Sequence, residues 1–363
     1  MSTLNRLNAP TRFLALTLLA VTLGCAGSRQ AGGQSAPDLL YVANQGGATV
    51  SVIDIESQEL VATVDLQEFG FSETAKPHHI AVEPDGSHWY VSLIGESRVV
   101  KFTRDNEMVA SVEFETPGML VLDPDTEDLF VARSMTAVNP PARVGVIQRN
   151  DMSSVEEIDI FFPRPHALTL TDDGATVYTA SLAENKIMAI DVESEETTLT
   201  TLNGANRSLV QFAISPDGRT MVAGGHIDGK FAFFDISDRA NPTLVQDLPV
   251  NAGPWHPVFT PDGRFVYFGN KMADTITVLD VESKSVMKII EGRSVAQPHG
   301  SAVSADGRFV FISNQNGNGA WTPSSGNPAD GTGNVVVIDT STNAIVKTIE
   351  VGTNPSGMGT RPR

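Results

Sequence analysis

Residues 77–86 read Pro-His-His-Ile-Ala-Val-Glu-Pro-Asp-Gly, and this order of Pro-His, apolar residues and an Asp-Gly turn returns along the chain. The clearest further copies span residues 165–174, 254–263 and 298–307, and two weaker copies fill the gaps. The turns end at positions 86, 126, 174, 218, 263 and 307, so the period is 40 to 48 residues. A period of this length is typical of propellers and solenoids.

One full repeat, residues 254–298, shows what each unit contains. Segments 256–259, 265–268, 275–279 and 285–290 are rich in β-branched and aromatic residues, and turn residues separate them. Pro-Asp-Gly suits a tight hairpin because proline presets φ, aspartate caps the turn and glycine accepts a positive φ. Four antiparallel strands in a repeat of this length predict one blade of a β-propeller.

The two ends of the chain predict how the ring closes. Residues 354–359 match the first strand of a repeat, and residues 39–44 match the second strand. Residues 49–54 and 59–64 match the third and fourth strands. Together with six internal repeats, this predicts an all-β, seven-bladed β-propeller over residues 39–363. Its blades are four-stranded and antiparallel, and one blade is closed by both termini.

The first residues have the pattern of an export signal. Residues 1–24 contain Arg6 and Arg12 but no acid, and the apolar run 13–23 is too short to span a bilayer as a mature helix. Gly24-Cys25 follows, and the segment resembles a bacterial lipoprotein signal. We therefore expect a signal peptide over residues 1–24, lipidation of Cys25 and a flexible tether over residues 25–38. The alternatives are an ordinary secretory signal cut near Ala26 or a buried core cysteine.

The net charge of the chain and its export signal limit the kinds of partner that we expect. The net charge of −18 repels polyanions, so nucleic acid is not an expected partner. The lipid anchor implies a membrane partner and places the exported protein in the cell envelope, at the outer membrane where two membranes exist. The single cysteine excludes an internal disulfide. We expect a monomer that meets a small ligand or a protein partner.

Several segments resemble the YVTN-type repeats of bacterial β-propellers. They are residues 41–44, 50–54, 335–339 and 346–349, together with the recurring Pro-Asp-Gly-Arg. Propellers related to this type include the haem-binding domain of dissimilatory nitrite reductase, the N-terminal domain of nitrous oxide reductase and surface proteins without known chemistry. The resemblance implies the fold and leaves the function open.

The up-and-down strands divide the loops between two ends of the propeller. The end that carries the Pro-Asp-Gly hairpins, here the turn end, collects most of the ordered aspartates, which cap their own backbone. The opposite end, here the mouth end, collects six of the seven histidines. Neutral imidazoles that converge on an axis suit zinc, copper or haem iron. The candidate metal ligands are His78, His166 and His299, with His79, His256 and His226 as weaker candidates.

Other polar residues are expected on the same end. The loops after the second strands, and an insertion over residues 316–333, supply a candidate ligand-binding face of Asn44, Arg133, Asn270, Lys271, Asn314 and Trp321. A second insertion spans residues 134–143, and long loops often bind ligands. The structural alternative is that each histidine latches a neighbouring blade. Because adjacent strand residues point to opposite faces, we expect that the five strand-one histidines do not all aim at one point.

Three functions remain open at this point. The leading hypothesis is a cell-envelope lipoprotein that binds a ligand or partner through the histidine-rich mouth end. The first alternative is a metal- or haem-binding redox protein, with copper, zinc or haem as possible cofactors. The second is a propeller lyase or lactonase that uses a histidine base and a divalent metal, although no carboxylate is evident on the histidine face. No catalytic motif decides whether the protein is an enzyme.

Overall fold

The computed structural model describes residues 37–137 and 142–362, which belong to one compact unit that begins at Pro37. The predicted signal peptide, Cys25 and most of the tether lie outside the described residues. The described part contains 28 strands and three short 3-10 helices, Leu66–Phe69, Ile94–Glu96 and Pro328–Asp330. No helix in it is long and apolar enough to cross a membrane.

The inner half of each blade is built from two strands. The innermost strands are β4 (Pro77–Val82), β8 (Pro117–Leu122), β12 (Pro165–Leu170), β16 (Leu209–Ile214), β20 (Val258–Phe259), β24 (Pro298–Val303) and β28 (Pro355–Thr360). The second strands are β1 (Leu39–Asn44), β5 (His88–Leu93), β9 (Asp128–Arg133), β13 (Thr176–Ser181), β17 (Thr220–Gly225), β21 (Phe265–Asn270) and β25 (Phe309–Asn314).

The outer half of each blade follows the same order. The third strands are β2 (Thr49–Asp54), β6 (Arg98–Thr103), β10 (Arg143–Gln148), β14 (Lys186–Asp191), β18 (Lys230–Asp235), β22 (Thr275–Asp280) and β26 (Thr332–Asp339). The outermost strands are β3 (Glu59–Asp65), β7 (Met108–Glu113), β11 (Ser153–Asp159), β15 (Thr197–Thr201), β19 (Thr243–Pro249), β23 (Ser285–Ile290) and β27 (Ala344–Thr353).

These strands form seven four-stranded antiparallel sheets, and the sheets are the blades of a seven-bladed β-propeller. The blade that joins the two ends has the order β28-β1-β2-β3, with Leu40 opposite Thr360 and Val42 opposite Met358. The predicted fold and its closure by both termini are confirmed. Pairing the last strand with the first one removes two free sheet edges that would otherwise be open to association.

The Asp-Gly hairpins at the turn end have the expected local chemistry. The backbone N–H of Arg264 donates to Asp262 Oδ1 at 3.0 Å, and Gly263 has a φ of 70°. Arg308 and Asp306 repeat the contact at 3.0 Å in the next blade. The hydrogen bond from Thr260 lowers the pKa of Asp262, so the carboxylate stays ionised and keeps its capping role. These aspartates are therefore architecture, as the repetition in the sequence predicts.

Six of the seven innermost strands have a register shift in their pairing with the second strand. Pairing with the second strand shifts register between Pro77 and Ile80 in β4, and between Pro298 and Ser301 in β24. The residue before six of these strands has a positive φ, and so does Gly253, which precedes the isolated bridge of Pro254 to Asn270 ahead of β20; the six are Lys76, Thr116, Arg164, Ser208, Gln297 and Asn354. A bulge re-aims the side chains beside it. The residues that follow each proline are therefore placed by the bulge and not by simple alternation.

The first described residues are fastened at the turn end. The carbonyl oxygen of Asp38 accepts from Ile55 N at 2.9 Å, and its carboxylate accepts from Arg361 Nη2 at 3.0 Å. Arg104 donates to the carbonyl oxygen of Pro37. The chain therefore joins the propeller beside the Asp-Gly hairpins, at the end opposite the histidines.

Candidate functional site

Five histidines meet on the axis of the propeller, and we call them the hub histidines: His78, His79, His166, His256 and His299. The ring centroid of His78 lies 5.9 Å from that of His166 and 6.4 Å from that of His299. His256 lies 5.0 Å from His299 and 6.4 Å from His79. The rings therefore form one connected chain across the centre of the fold.

The five rings lie close together but do not converge on one point, because their contacts are pairwise and no three donors in the described residues surround a common position. The alternation of side chains along a strand assumes regular pairing, and the bulges at the starts of β4, β12 and β24 break that regularity. His78 and His79 are neighbours in sequence, yet each has a ring contact with another hub histidine.

Burial keeps the hub histidines uncharged. Desolvation lowers the pKa of His79 to about 3 and that of His166 to about 4. It also lowers the pKa values of His78, His256 and His299 well below the usual range. Low dielectric surroundings disfavour the imidazolium form, so all five rings are neutral at pH 7. Bases with such low pKa values are poorly matched to proton abstraction near neutrality.

Two hub histidines have a tautomer that the hydrogen bonds define. His166 Nδ1 donates to the carbonyl oxygen of Val210 at 2.8 Å, so its proton sits on Nδ1. His79 Nδ1 accepts from Leu120 N at 3.2 Å, so its proton sits on Nε2. These bonds join neighbouring blades, which supports the latch role considered from the sequence. His166 Nε2 and both ring nitrogens of His78 are buried without a partner in the described residues.

The donor geometry gives no metal centre among the described residues. In that part of the chain, no group of three or more His, Cys, Asp or Glu side chains is placed to hold one metal ion. Metal ligation by His78, His166 and His299, with His79, His256 and His226 as weaker ligands, stays a prediction.

The hub predicts a stability that falls in mild acid. The folded pKa values of His79 and His166 lie below the ordinary value of 6.5, so the unfolded chain binds more protons between pH 6.5 and 4. The free energy of unfolding should fall by about 1.4 kcal/mol per pH unit for each such histidine across that window. Urea midpoints measured from pH 7 to pH 4 check this.

A matched pair of variants isolates the hub contribution to that slope. His166→Gln should reduce the slope of the pH dependence, whereas His88→Gln, at the turn end, should reduce it less, because burial lowers the pKa of His88 without the large shift that brings His166 to about 4. Carboxylates titrate lower, since the ordinary pKa of aspartate is 3.8. A urea midpoint that stays level between pH 6.5 and pH 5 contradicts the idea of a neutral buried hub.

The three asparagines of the predicted ligand face form hydrogen bonds within their own blades. Asn44 Nδ2 donates to Thr49 Oγ1 at 3.0 Å and to Ser51 Oγ at 2.9 Å. Asn270 repeats the pattern in its own blade at 2.9 and 2.7 Å. Asn314 donates to Asn334 Oδ1 at 3.1 Å. All three are fully buried and are held by these hydrogen bonds within their own blades, and their role in a ligand face stays a prediction.

Arg133 and Trp321 also have their recorded contacts inside the protein. Arg133 is buried, donates to the carbonyl oxygen of Glu115 at 2.5 Å, pairs with Glu157 and stacks on Phe114. Its charge is therefore compensated inside the protein and is not offered to a ligand. Trp321 is half-buried, and its backbone N–H donates to Asn316 Oδ1 at 2.9 Å within its own loop.

The remaining predicted residues, Lys271 and His226, line a cleft at the mouth end. This mouth cleft has a volume of about 550 Å³. It is lined by Met135, His226, Trp255, Lys271, Met272 and Gln297. Small-molecule sites have this size and this mixture of apolar walls with a few polar groups.

Trp255 supports both polar groups of the cleft. Its side chain is only 2% exposed. The imidazole of His226 meets the indole edge-on at 4.5 Å, and Lys271 Nζ lies 4.7 Å from the ring centroid. A cation over an indole face is held by the negative face of the π-system. Trp255 also lies 5.0 Å from His299, so the cleft rests directly on the hub.

Electrostatics sets the two polar groups to opposite protonation states. Burial, and then the charge of Lys271, lower the pKa of His226, so its imidazole is neutral at pH 7. Burial lowers the pKa of Lys271 to about 8, so most of its ammonium is still charged at pH 7. No carboxylate in the described part of the chain forms an ion pair with Lys271. A neutral base and a cation therefore share one cleft.

A second cavity, of about 650 Å³, lies on the axis toward the turn end. Its walls are mainly apolar side chains of the innermost strands, such as Val121, Leu170 and Met358, and His79 also lines it. Arg361, its cationic residue, is already paired with Asp38. Because the pKa of His79 is about 3, this cavity offers a weaker base than the mouth cleft.

The sequence pattern missed four residues of the mouth cleft: Met135, Trp255, Met272 and Gln297. Trp255 was visible, since it replaces histidine directly after the strand-one proline in the repeat at Pro254. Met135 lies in the insertion already singled out, over residues 134–143. Met272 and Gln297 carry no motif, and only the fold brings them together.

The sequence and the fold both resemble those of known lactonases. Residues 258–332 match the family model of lactonases described as a 7-bladed beta-propeller, a stretch that contains Lys271, Gln297 and His299. A 6-phosphogluconolactonase from Serratia proteamaculans is 24% identical over 305 residues, which cover 76% of this chain and 88% of that protein.

Two solved structures show how widely the fold is used. The periplasmic gluconolactonase PpgL of Pseudomonas aeruginosa has a TM-score of 0.69 and 18% identity, and the match covers 90% of this chain and 99% of that chain. The dihydro-heme d1 dehydrogenase NirN has a TM-score of 0.62 and 14% identity, with 88% and 74% covered. At these identities the likeness shows the fold alone.

Proposed function

We propose that the protein is a lactone hydrolase that works at the mouth cleft. The observation that carries the proposal is the pair of His226 and Lys271, a neutral imidazole and an ammonium held against one indole in a cleft. The lactonase match over residues 258–332 and the 6-phosphogluconolactonase relative support this choice. A lactone hydrolase is one of the alternatives that the sequence left open, here with no role assigned to a divalent metal.

The residues at hand account for each step of ring opening. Neutral His226 accepts a proton from water as the water oxygen bonds to the lactone carbonyl carbon. The ammonium of Lys271 stabilises the oxyanion that forms on the carbonyl oxygen. When the ring C–O bond breaks, the imidazolium of His226 returns the proton to the departing oxygen. Lactone and water are thereby converted to a hydroxy acid, and His226 is regenerated.

The low dielectric of the cleft makes this arrangement effective. An ammonium held on the buried Trp255 is partly stripped of water, so its attraction for a developing oxyanion is stronger than it would be in solution. Its fixed position also means that little reorganisation accompanies the reaction. Binding without turnover is the simpler role for the same cleft, and it corresponds to the leading hypothesis from the sequence.

The rate of lactone hydrolysis should depend on pH as a bell. Turnover should rise as pH passes upward through the lowered pKa of His226, and fall as pH passes about 8, where Lys271 loses its proton. Initial rates of the full chain on δ-gluconolactone and 6-phosphogluconolactone from pH 5 to 9.5, corrected for spontaneous hydrolysis, check this.

Lys271→Arg tests the assignment of the alkaline limb. Arginine stays protonated throughout this range, so whatever rate the variant keeps should no longer fall above pH 8. Absence of turnover of every lactone tried, by a chain that is folded, rejects the hydrolase and leaves the ligand-binding role.

A further inference from the structure

The mouth cleft has an apolar side that the hydrolytic chemistry does not use. Its polar groups, His226, Lys271 and Gln297, are faced by two methionines, Met135 and Met272. Met272 is 69% exposed. Ile227 is not among the residues that line the cleft, but it follows His226 directly in the chain and is 66% exposed. Such residues are usually placed in the core, and exposed apolar side chains grouped at a cleft mark a binding surface.

These apolar residues occupy one recurring position of the fold. Ile227 N donates to Arg207 O at 3.2 Å, and Met272 N donates to Ala252 O at 3.2 Å, so the two lie at equivalent places in neighbouring blades. The position is the second residue after the second strand of each blade. In chain order it holds Gly46, Gly95, Met135, Ala183, Ile227, Met272 and Asn316.

The comparison between blades shows that the fold does not require an apolar residue there. Four blades have Gly, Ala or Asn at this position, and they form the same sheets. Large apolar side chains stand only in the three blades that contribute Met135, His226 and Lys271, with their neighbours, to the cleft. The apolar character therefore belongs to the cleft and not to the blade.

We infer that the lactone taken by this cleft carries an apolar alkyl or acyl chain, which lies along Met135, Ile227 and Met272 while the ring sits at His226 and Lys271. This inference rests on the proposed function. A polyhydroxylated sugar lactone would leave the three side chains in contact with hydroxyl groups, whereas an alkyl chain would bury them. Methionine adapts to chains of different shape, so a range of lengths fits.

The test is a chain-length series on the full-length protein. The lactones are γ-lactones with substituents from methyl to hexyl, compared with δ-gluconolactone, and the value measured is kcat/KM. We expect an increase of about two- to fourfold per added methylene. Ile227→Gln and Met272→Gln, which keep the side-chain size but add an amide, should flatten that increase. Met287→Gln, an exposed methionine on the outermost strand β23, is the matched control and should keep it.

A binding measurement separates this inference from the hydrolase itself. γ-Lactams with the same substituents are not hydrolysed readily, and calorimetry on the full chain gives their affinity. One outcome is that no lactone is hydrolysed, while lactam affinity rises with chain length and Ile227→Gln removes that rise. This outcome would contradict the hydrolase function and still support an apolar ligand. Turnover or binding that is independent of chain length overturns the inference. So does an effect of Ile227→Gln on self-association alone, which would assign the patch to a protein contact.

Discussion

Replacing His226 with glutamine should lower kcat for lactone hydrolysis by a factor of about 10²–10⁴, the range that a general base contributes. Glutamine keeps a polar side chain of similar length but cannot take the proton from the attacking water. The edge-on contact with Trp255 should hold the side chain in place, so folding should be preserved. Steady-state kinetics on δ-gluconolactone, with thermal unfolding to confirm the fold, measures the effect.

Two other histidines serve as controls for that result. His88 lies at the turn end and bonds to Ser87, so His88→Gln should keep the wild-type rate. His79 lines the axial cavity, so His79→Gln separates the two cavities. Wild-type turnover by His226→Gln together with loss of turnover in His79→Gln would place the chemistry in the axial cavity and contradict the role of His226 as the base.

Removing residues 354–363 should abolish cooperative folding. These residues contain β28, whose first five residues are buried and which pairs with β1 to close the ring. Ser356 Oγ donates to His78 O at 3.1 Å, and Ser313 Oγ donates to Ser356 O at 2.7 Å, so the strand joins both neighbouring blades. The free energy lost with all these contacts should exceed the typical net stability of a protein, about 5–15 kcal/mol.

Circular dichroism during heating measures this loss, and two further chains control it. Removing only residues 362–363 should leave the cooperative transition in place. A chain in which residues 354–361 are moved ahead of Leu39 and joined to it by a Pro-Asp-Gly turn should regain that transition, because Thr360 already pairs with Leu40. A cooperative transition in the chain without β28 would show that the ring does not depend on this closure.

The period of the Asp-Gly turns was enough to predict the fold. Turn residues report the local backbone directly, since Gly263 and Gly307 have the positive φ that their hairpins need. The blade that both termini share was visible because each end carried a recognisable part of the repeat. The start of the innermost strand was not visible in the same way. Lys76 and Gln297 adopt positive φ there without being glycine, and the bulge beside them has no residue signature.

The candidate site was predicted only in part, for related reasons. The repeat placed the histidines at equivalent positions of several blades, but it could not predict which rings touch, because the bulges at the starts of the innermost strands set their directions. Asn44 and Asn270 look the same in sequence as residues that face a ligand, and only their hydrogen bonds show that they bind their own blades. The exposure of a side chain and its ion pairs depend on the tertiary structure. Only the structure therefore distinguishes Lys271, which lines the cleft, from Arg133, which is paired with Glu157.

The attachment of Pro37 and Asp38 beside the Asp-Gly hairpins has a practical consequence. Anything joined to the chain ahead of Pro37, whether a lipid, a surface or a fused protein, is connected at the end opposite the mouth cleft. Immobilisation through the N-terminal side should therefore leave the cleft accessible to solutes from the bulk phase. A label added at that side should also report on tethering without obstructing a ligand.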